Sequence, residues 1–174
     1  MSTLDSKSLK DFVAESKTLV RALLVKLEET ESKPELASLL ADYGNLVDRI
    51  MGAAKSLGVK VDKEHGIHML ADYTSICKVV SNKGSEIRDN DELFNVIHAF
   101  LFDATEILDI LLQKIESPAI EIKKAISSNF IERLKWISGQ FRKTFSEKGG
   151  DVSSDVDTSL SQDEIDNLMK KLGV

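Results

Sequence analysis

Three histidines, one cysteine and two acid–amide pairs are the side chains of this chain whose types and spacing could do chemistry. His65 and His68 stand as H-x-x-H, but only Glu64 and Asp72 lie near enough in sequence to complete a metal set, so a structural role is expected and no metal site. His98 precedes Ala99, Phe100, Leu101 and Phe102, too bulky a run for another protein to approach the imidazole. Cys77 shares an apolar helical face with Leu70, Tyr73 and Val80, which predicts a buried, inert thiol. As the single cysteine it excludes an internal disulfide and a Cys-rich zinc site. Asp109 and Gln113 stand one helical turn apart, as nearly do Glu92 and Asn95. No Gly-rich phosphate loop follows a strand pattern, and no Ser–His–acid or Cys–His arrangement can be built.

The elements that would position these groups are helices. Among 174 residues there are two prolines, Pro34 and Pro118, and nine glycines. Apolar residues recur at steps of three and four and not of two. Leu9, Phe12, Val13, Leu19, Val20, Leu23, Leu24 and Leu27 predict a helix from Ser6 to Glu31. A second, from Glu35 to Leu57, carries Leu36, Leu39, Leu40, Tyr43, Leu46, Val47, Ile50, Ala54 and Leu57, with Gly58 as its stop. A shorter third helix carries Leu70, Tyr73, Cys77 and Val80 and ends before the polar, turn-rich SNKGSEIRDND. The fourth, Asp91 to Glu116, uses Phe94, Ile97, Leu101, Ala104, Leu108, Leu111 and Ile115. Pro118 opens a fifth with Ile122, Ala125, Ile126, Phe130, Leu134, Ile137, Phe141 and Phe145. Stripes joined by short connections predict an all-α antiparallel helical bundle over residues 1–147. Trp136 and Phe102 fall off their stripes, as aromatics at a partner surface do.

Composition narrows the function. With 23 Lys+Arg against 29 Asp+Glu the net charge is −6, which argues against nucleic acid. No apolar run reaches the roughly 18–20 residues that span a bilayer. The first residues, MSTLDSKSLKDF, lack an apolar signal region, so a cytoplasmic location is expected.

Residues 148–159 change character: GGDVSSDVDTS has no large apolar residue except valine and reads as a flexible linker. Residues 160–174, LSQDEIDNLMKKLGV, then collect the devices of an autonomous helix. Ser161 and Glu164 form a capping box, Leu160 and Ile165 a hydrophobic staple. Asp163 and Glu164 sit at the positive end of the dipole, Lys170 and Lys171 at the negative end, with Gly173 beyond. Ile165, Leu168, Met169 and Leu172 share one face. Such a helix on a tether suits docking into a partner's groove; packing on its own bundle is the alternative, and both stay open.

LSQDEIDNLM resembles the N-terminal peptide of the flagellar switch protein FliM, L-S-Q-x-E-I-D-x-L-L, at Leu160, Ser161, Gln162, Glu164, Ile165, Asp166 and Leu168. It is similar also to the C-terminal tail of the phosphatase CheZ, D-x-L-L-x-x-L-G, at Asp166, Leu168, Leu172 and Gly173; Met169 replaces a leucine in both. The resemblance implies a CheY-like response regulator as partner, no cofactor for this chain, and Mg2+ only through a bound regulator. From Gly149 to Met169 there are six acids and no Lys or Arg, which favours a basic groove. Lys114 to Lys148 holds eight basic and four acidic residues, so the tail is also expected to fold back on the fifth helix and inhibit itself.

In the bundle, Asp48 to Gly58 resembles the histidine phosphotransfer (HPt) pattern H-x-x-K-G-x-A-x-x-x-G at Gly52, Ala54 and Gly58. Asp48 stands where the phosphorylatable histidine belongs and Met51 where the lysine does, which implies an HPt-like domain inactive in phosphotransfer. Asp48, Gly52 and Lys55 project opposite the apolar stripe as a docking strip; alternatively Gly52 and the alanines serve close helix packing. CheZ-type phosphatases use an acid and a glutamine one turn apart, the amide orienting water and the acid engaging a lysine of the regulator. That resemblance gives Asp109 and Gln113 as candidate catalytic residues. Glu92 and Asn95 are similar to the acid–amide pair of the CheC/CheX phosphatases, whose α/β fold this chain does not share. The expected function is therefore a chemotaxis or flagellar signalling protein that binds a CheY-like regulator. A CheZ-like phosphatase and a structural bundle are the alternatives, and a homodimer is left open.

Overall fold

The structure, a computed structural model, describes residues 4–146 and 165–172, and these residues are all-helical. Asp5 caps helix α1 (Ser6–Thr30) by accepting from the Lys7 amide at 3.2 Å. Ser32 takes a positive φ of 56° and turns the chain. Pro34–Leu39 form a 3-10 segment before α2 (Leu40–Gly58). The expected single helix from Glu35 is thus corrected. A proline opens the segment without an N–H to donate, and the three-residue period swings Leu36 and Leu39 to half-buried positions while Leu40 is fully enclosed.

His65 caps α3 (Gly66–Ser85), its Nδ1 accepting from the Ile67 amide at 3.1 Å. This helix is longer than expected. The polar run Ser81–Ser85 stays helical, with Ser81 buried and donating to the Lys78 carbonyl at 2.9 Å. Gly84 lets α2 and α4 close in: a Cβ there would lie 3.0 Å from Ile97 and 3.1 Å from Leu40. Asn90 caps α4 (Asp91–Gln113) through the Leu93 amide. The predicted fifth helix is two pieces, α5 (Ala119–Lys123) and α6 (Ser128–Ser146). Ser127 Oγ accepts from the Phe130 amide and starts α6 afresh, a cap the uninterrupted apolar spacing concealed. Residues 165–171 form a last helix, α7. The linker 148–159, the capping box and Leu160 lie outside the described residues.

Four helices make the frame. Glu15–Arg49 and Lys26–Asp42 pairs set α1 against α2; Asp48–Lys78 and Met51–Ser75 contacts set α2 against α3. Tyr73 donates to the Ala104 carbonyl at 2.6 Å between α3 and α4, and His98 Nε2 meets the Leu27 carbonyl at 2.7 Å between α4 and α1. Because a carbonyl only accepts, His98 carries its proton on Nε2. The partners in each pair fall in opposite chain order, so the four helices run up and down around a closed core. Outside it, α6 lies along α3, with Phe130 stacked on Tyr73 and Phe141 beneath the Lys83 ammonium. Covered by α2 and α4 on its flanks and α6 and α7 outside, α3 is buried nearly all round.

Candidate functional site

Three candidate surfaces surround this frame, and the structure keeps them apart. The first is α7. Ile165, Leu168 and Leu172 are 0%, 5% and 1% exposed and belong to the one continuous core, with Met169 half-buried at its edge. Asp166 pairs with Arg142 of α6 at 2.5 Å, and Lys171 with Asp72 of α3 at 3.6 Å. Arg142 is near the end of α6 and Asp72 near the start of α3, so α7 runs back antiparallel to both. The apolar face that reads as a partner's ligand is seated on the chain's own bundle, on the basic α6 where the charge excess placed it. Gln162, Ser161 and Glu164 lie outside the described residues.

The second surface is the Asp48 face. Asp48 Oδ1 receives the Lys78 ammonium at 2.7 Å, an α3 partner that no local pattern announced. Gly52 and Lys55 are exposed beside it. A Cβ on Gly52 would meet nothing within 4 Å, so this glycine serves no helix packing and the strip is open. A cleft of about 290 Å³ borders it, lined by Lys55, Ser75, Lys78 and Lys83 among others. Burial lowers the Lys83 pKa, with Glu86 pulling the other way. Met51 Sδ accepts from Ser75 Oγ at 3.0 Å.

The third is the acid–amide pair on α4. Gln113 Nε2 donates to Asp109 Oδ2 at 2.9 Å on an open surface. Gln113 borders a groove of about 440 Å³ between α1 and α4 whose walls include Leu9, Val13, Lys10 and Lys17. Ile110 and Phe102 are exposed on the same helix at 40% and 37%. Glu92 and Asn95 are exposed in the first turn of α4.

The remaining candidates are accounted for by structure. Burial pushes the Cys77 thiol up to about 12, a shift its hydrogen-bonding neighbours Tyr43 and Tyr73 only partly offset. His65 is a cap and His98 a buried strut. His68 meets the Asp62 carbonyl through Nε2. Among the described residues no group of three or more His, Cys, Asp or Glu can hold a metal ion. No helix among them is long and apolar enough to cross a membrane. Sequence reasoning missed Lys78 and Arg142 and named Asp72 only as a neighbour of the histidines; as a partner of the tail only Arg142 left a trace, in the positive charge of residues 114–148.

No protein-family profile matches the chain, and neither a curated protein nor a solved structure does.

Proposed function

We propose that this chain is a chemotaxis or flagellar signalling protein that binds a CheY-like response regulator through residues 160–174, carried on an HPt-like bundle inactive in phosphotransfer. The observation that carries the reading is the match of Leu160, Ser161, Gln162, Glu164, Ile165, Asp166 and Leu168 to a regulator-binding peptide, in a segment that is helical where it is described. The open strip of Asp48, Gly52 and Lys55 supports it as a second, weaker contact, which a tethered regulator would meet at high local concentration. Asp48 held by Lys78 has no imidazole chemistry, so the face docks and does not relay phosphoryl groups. Such a protein works in the cytoplasm.

Two observations favour other readings. The placement of Asp109 and Gln113 one turn apart on an exposed face favours a CheZ-like phosphatase. The burial of Ile165, Leu168 and Leu172 suits a structural bundle whose tail packs on itself. One titration separates the first reading from the last. Full-length chain and a chain ending at residue 149 are mixed with an activated CheY-type regulator and read by calorimetry. Binding by the full chain alone supports the proposal; no binding by either leaves a structural bundle.

A further inference from the structure

We infer that α7 is a reversible latch: the face by which the tail would hold a regulator is the face that seats it between α3 and α6, so the chain binds its partner only when undocked. The inference rests on the regulator-binding reading above and adds how that site is regulated. Ile165, Leu168 and Leu172 are at once the apolar positions of the peptide pattern and the residues at 0%, 5% and 1% exposure. One helical face cannot fill two grooves, so docking and capture exclude each other.

The seat is built to open. Among the described residues its apolar contact is three side chains of one helix, with Met169 half-buried beside them. Two ion pairs among the described residues brace it, Asp166–Arg142 and Lys171–Asp72, and the two cations are 60% and 61% exposed. Exposed pairs are screened by salt and hold weakly. A short helix has little stability of its own once detached. The free chain therefore divides between docked and released states, and its apparent affinity is the intrinsic affinity multiplied by the released fraction. A tail docked nine times in ten binds about tenfold more weakly than a free one.

The test changes only the bundle. In full-length Arg142→Glu/Asp72→Lys both ion pairs become repulsions, while every residue of the peptide pattern is retained and both substituted side chains reach solvent. Amide hydrogen exchange over residues 165–172 and calorimetric titration with activated CheY-type regulator are measured for this variant and the wild type, at low and high salt. The expected result is loss of amide protection in α7 together with affinity raised about tenfold at low salt, and a difference between the two proteins that shrinks as salt is raised. Wild-type affinity equal to the variant's at low salt overturns the latch and leaves the regulator reading standing. No binding by either protein, with α7 released in the variant, overturns the regulator reading and the latch with it.

Discussion

At the scale of single residues, the turn that brings α5 across the start of α3 leaves no room for change. A Cβ on Gly66 would lie 2.0 Å from the Ile122 methyl, and 2.8 and 2.9 Å from the Ser117 and Ile115 carbonyls. The methyl can turn aside, but the two carbonyls are backbone. Gly66→Ala is expected to destabilise the protein by about 1–3 kcal/mol, the usual cost of overpacking, read as a lower denaturant midpoint at unchanged m-value. The neighbouring cap makes the fold pH-sensitive. Burial lowers the His65 pKa, His68 adds to the effect and Glu116 opposes it. Its Nδ1 also accepts the Ile67 amide, so a proton on that nitrogen breaks the cap. The unfolded chain therefore takes up this proton at a higher pH than the folded one. The contribution of His65 is fully present above the ordinary imidazole pKa of about 6.5 and is lost as pH falls below it. His65→Asn keeps an acceptor at the cap and removes the titration. Its melting temperature should fall less than the wild type's between neutral pH and pH about 5.

At the scale of elements, α7 is the one whose presence is closely balanced. Each buried apolar side chain contributes about 1.5–3 kcal/mol, and each backbone residue fixed costs about 1–2 kcal/mol. For eight residues with three enclosed side chains the ordering cost exceeds the side-chain gain, and the helix's own hydrogen bonds, half-buried Met169 and the ion pairs to Arg142 and Asp72 offset the difference. A chain ending at residue 149 is thus expected to melt within a few degrees of the full chain, with α1–α4 retaining their amide protection. A large drop would mark α7 as core. The same balance explains what was legible in the sequence. Stripes of period 3.6 revealed α1, α2 and α4, because each of those helices buries one face. The all-α bundle followed from them. Breaks decided by local hydrogen bonds were hidden: Ser127 capping Phe130 interrupts apolar spacing that runs straight through it. The length of α3 was hidden for the opposite reason. A helix enclosed on nearly every side can carry Ser81 and Gly84 inward, so its polarity resembles a loop. The α7 helix itself was legible from its caps and charges, but not its seat, since Arg142 and Asp72 are far from it in sequence.

At the scale of the whole molecule, the three candidate surfaces do not converge. Asp48 pairs with Lys78 at the α2–α3 cleft, Gln113 borders the α1–α4 groove, and α7 lies over α3 and α6. Under the proposed function, the surface that a regulator held by the tail would meet decides between adaptor and phosphatase. The acid–amide pair is poised by its spacing alone. Asp109 and Gln113 satisfy one another at 2.9 Å, so to act on a water and a regulator lysine they would have to part. The flanking sequence, Ile110, Leu111 and Leu112, supplies two buried residues, one exposed apolar residue and no further polar group to hold a water. The expected result is an adaptor. In a phosphate-release assay, the lifetime of a phosphorylated CheY-type regulator should be unchanged by the wild-type chain and equally by Gln113→Ala, while both proteins bind it alike. A lifetime shortened by the wild type and restored by Gln113→Ala at equal binding would instead place catalysis on α4, because loss of the amide that orients water lowers turnover without touching the α7 contact.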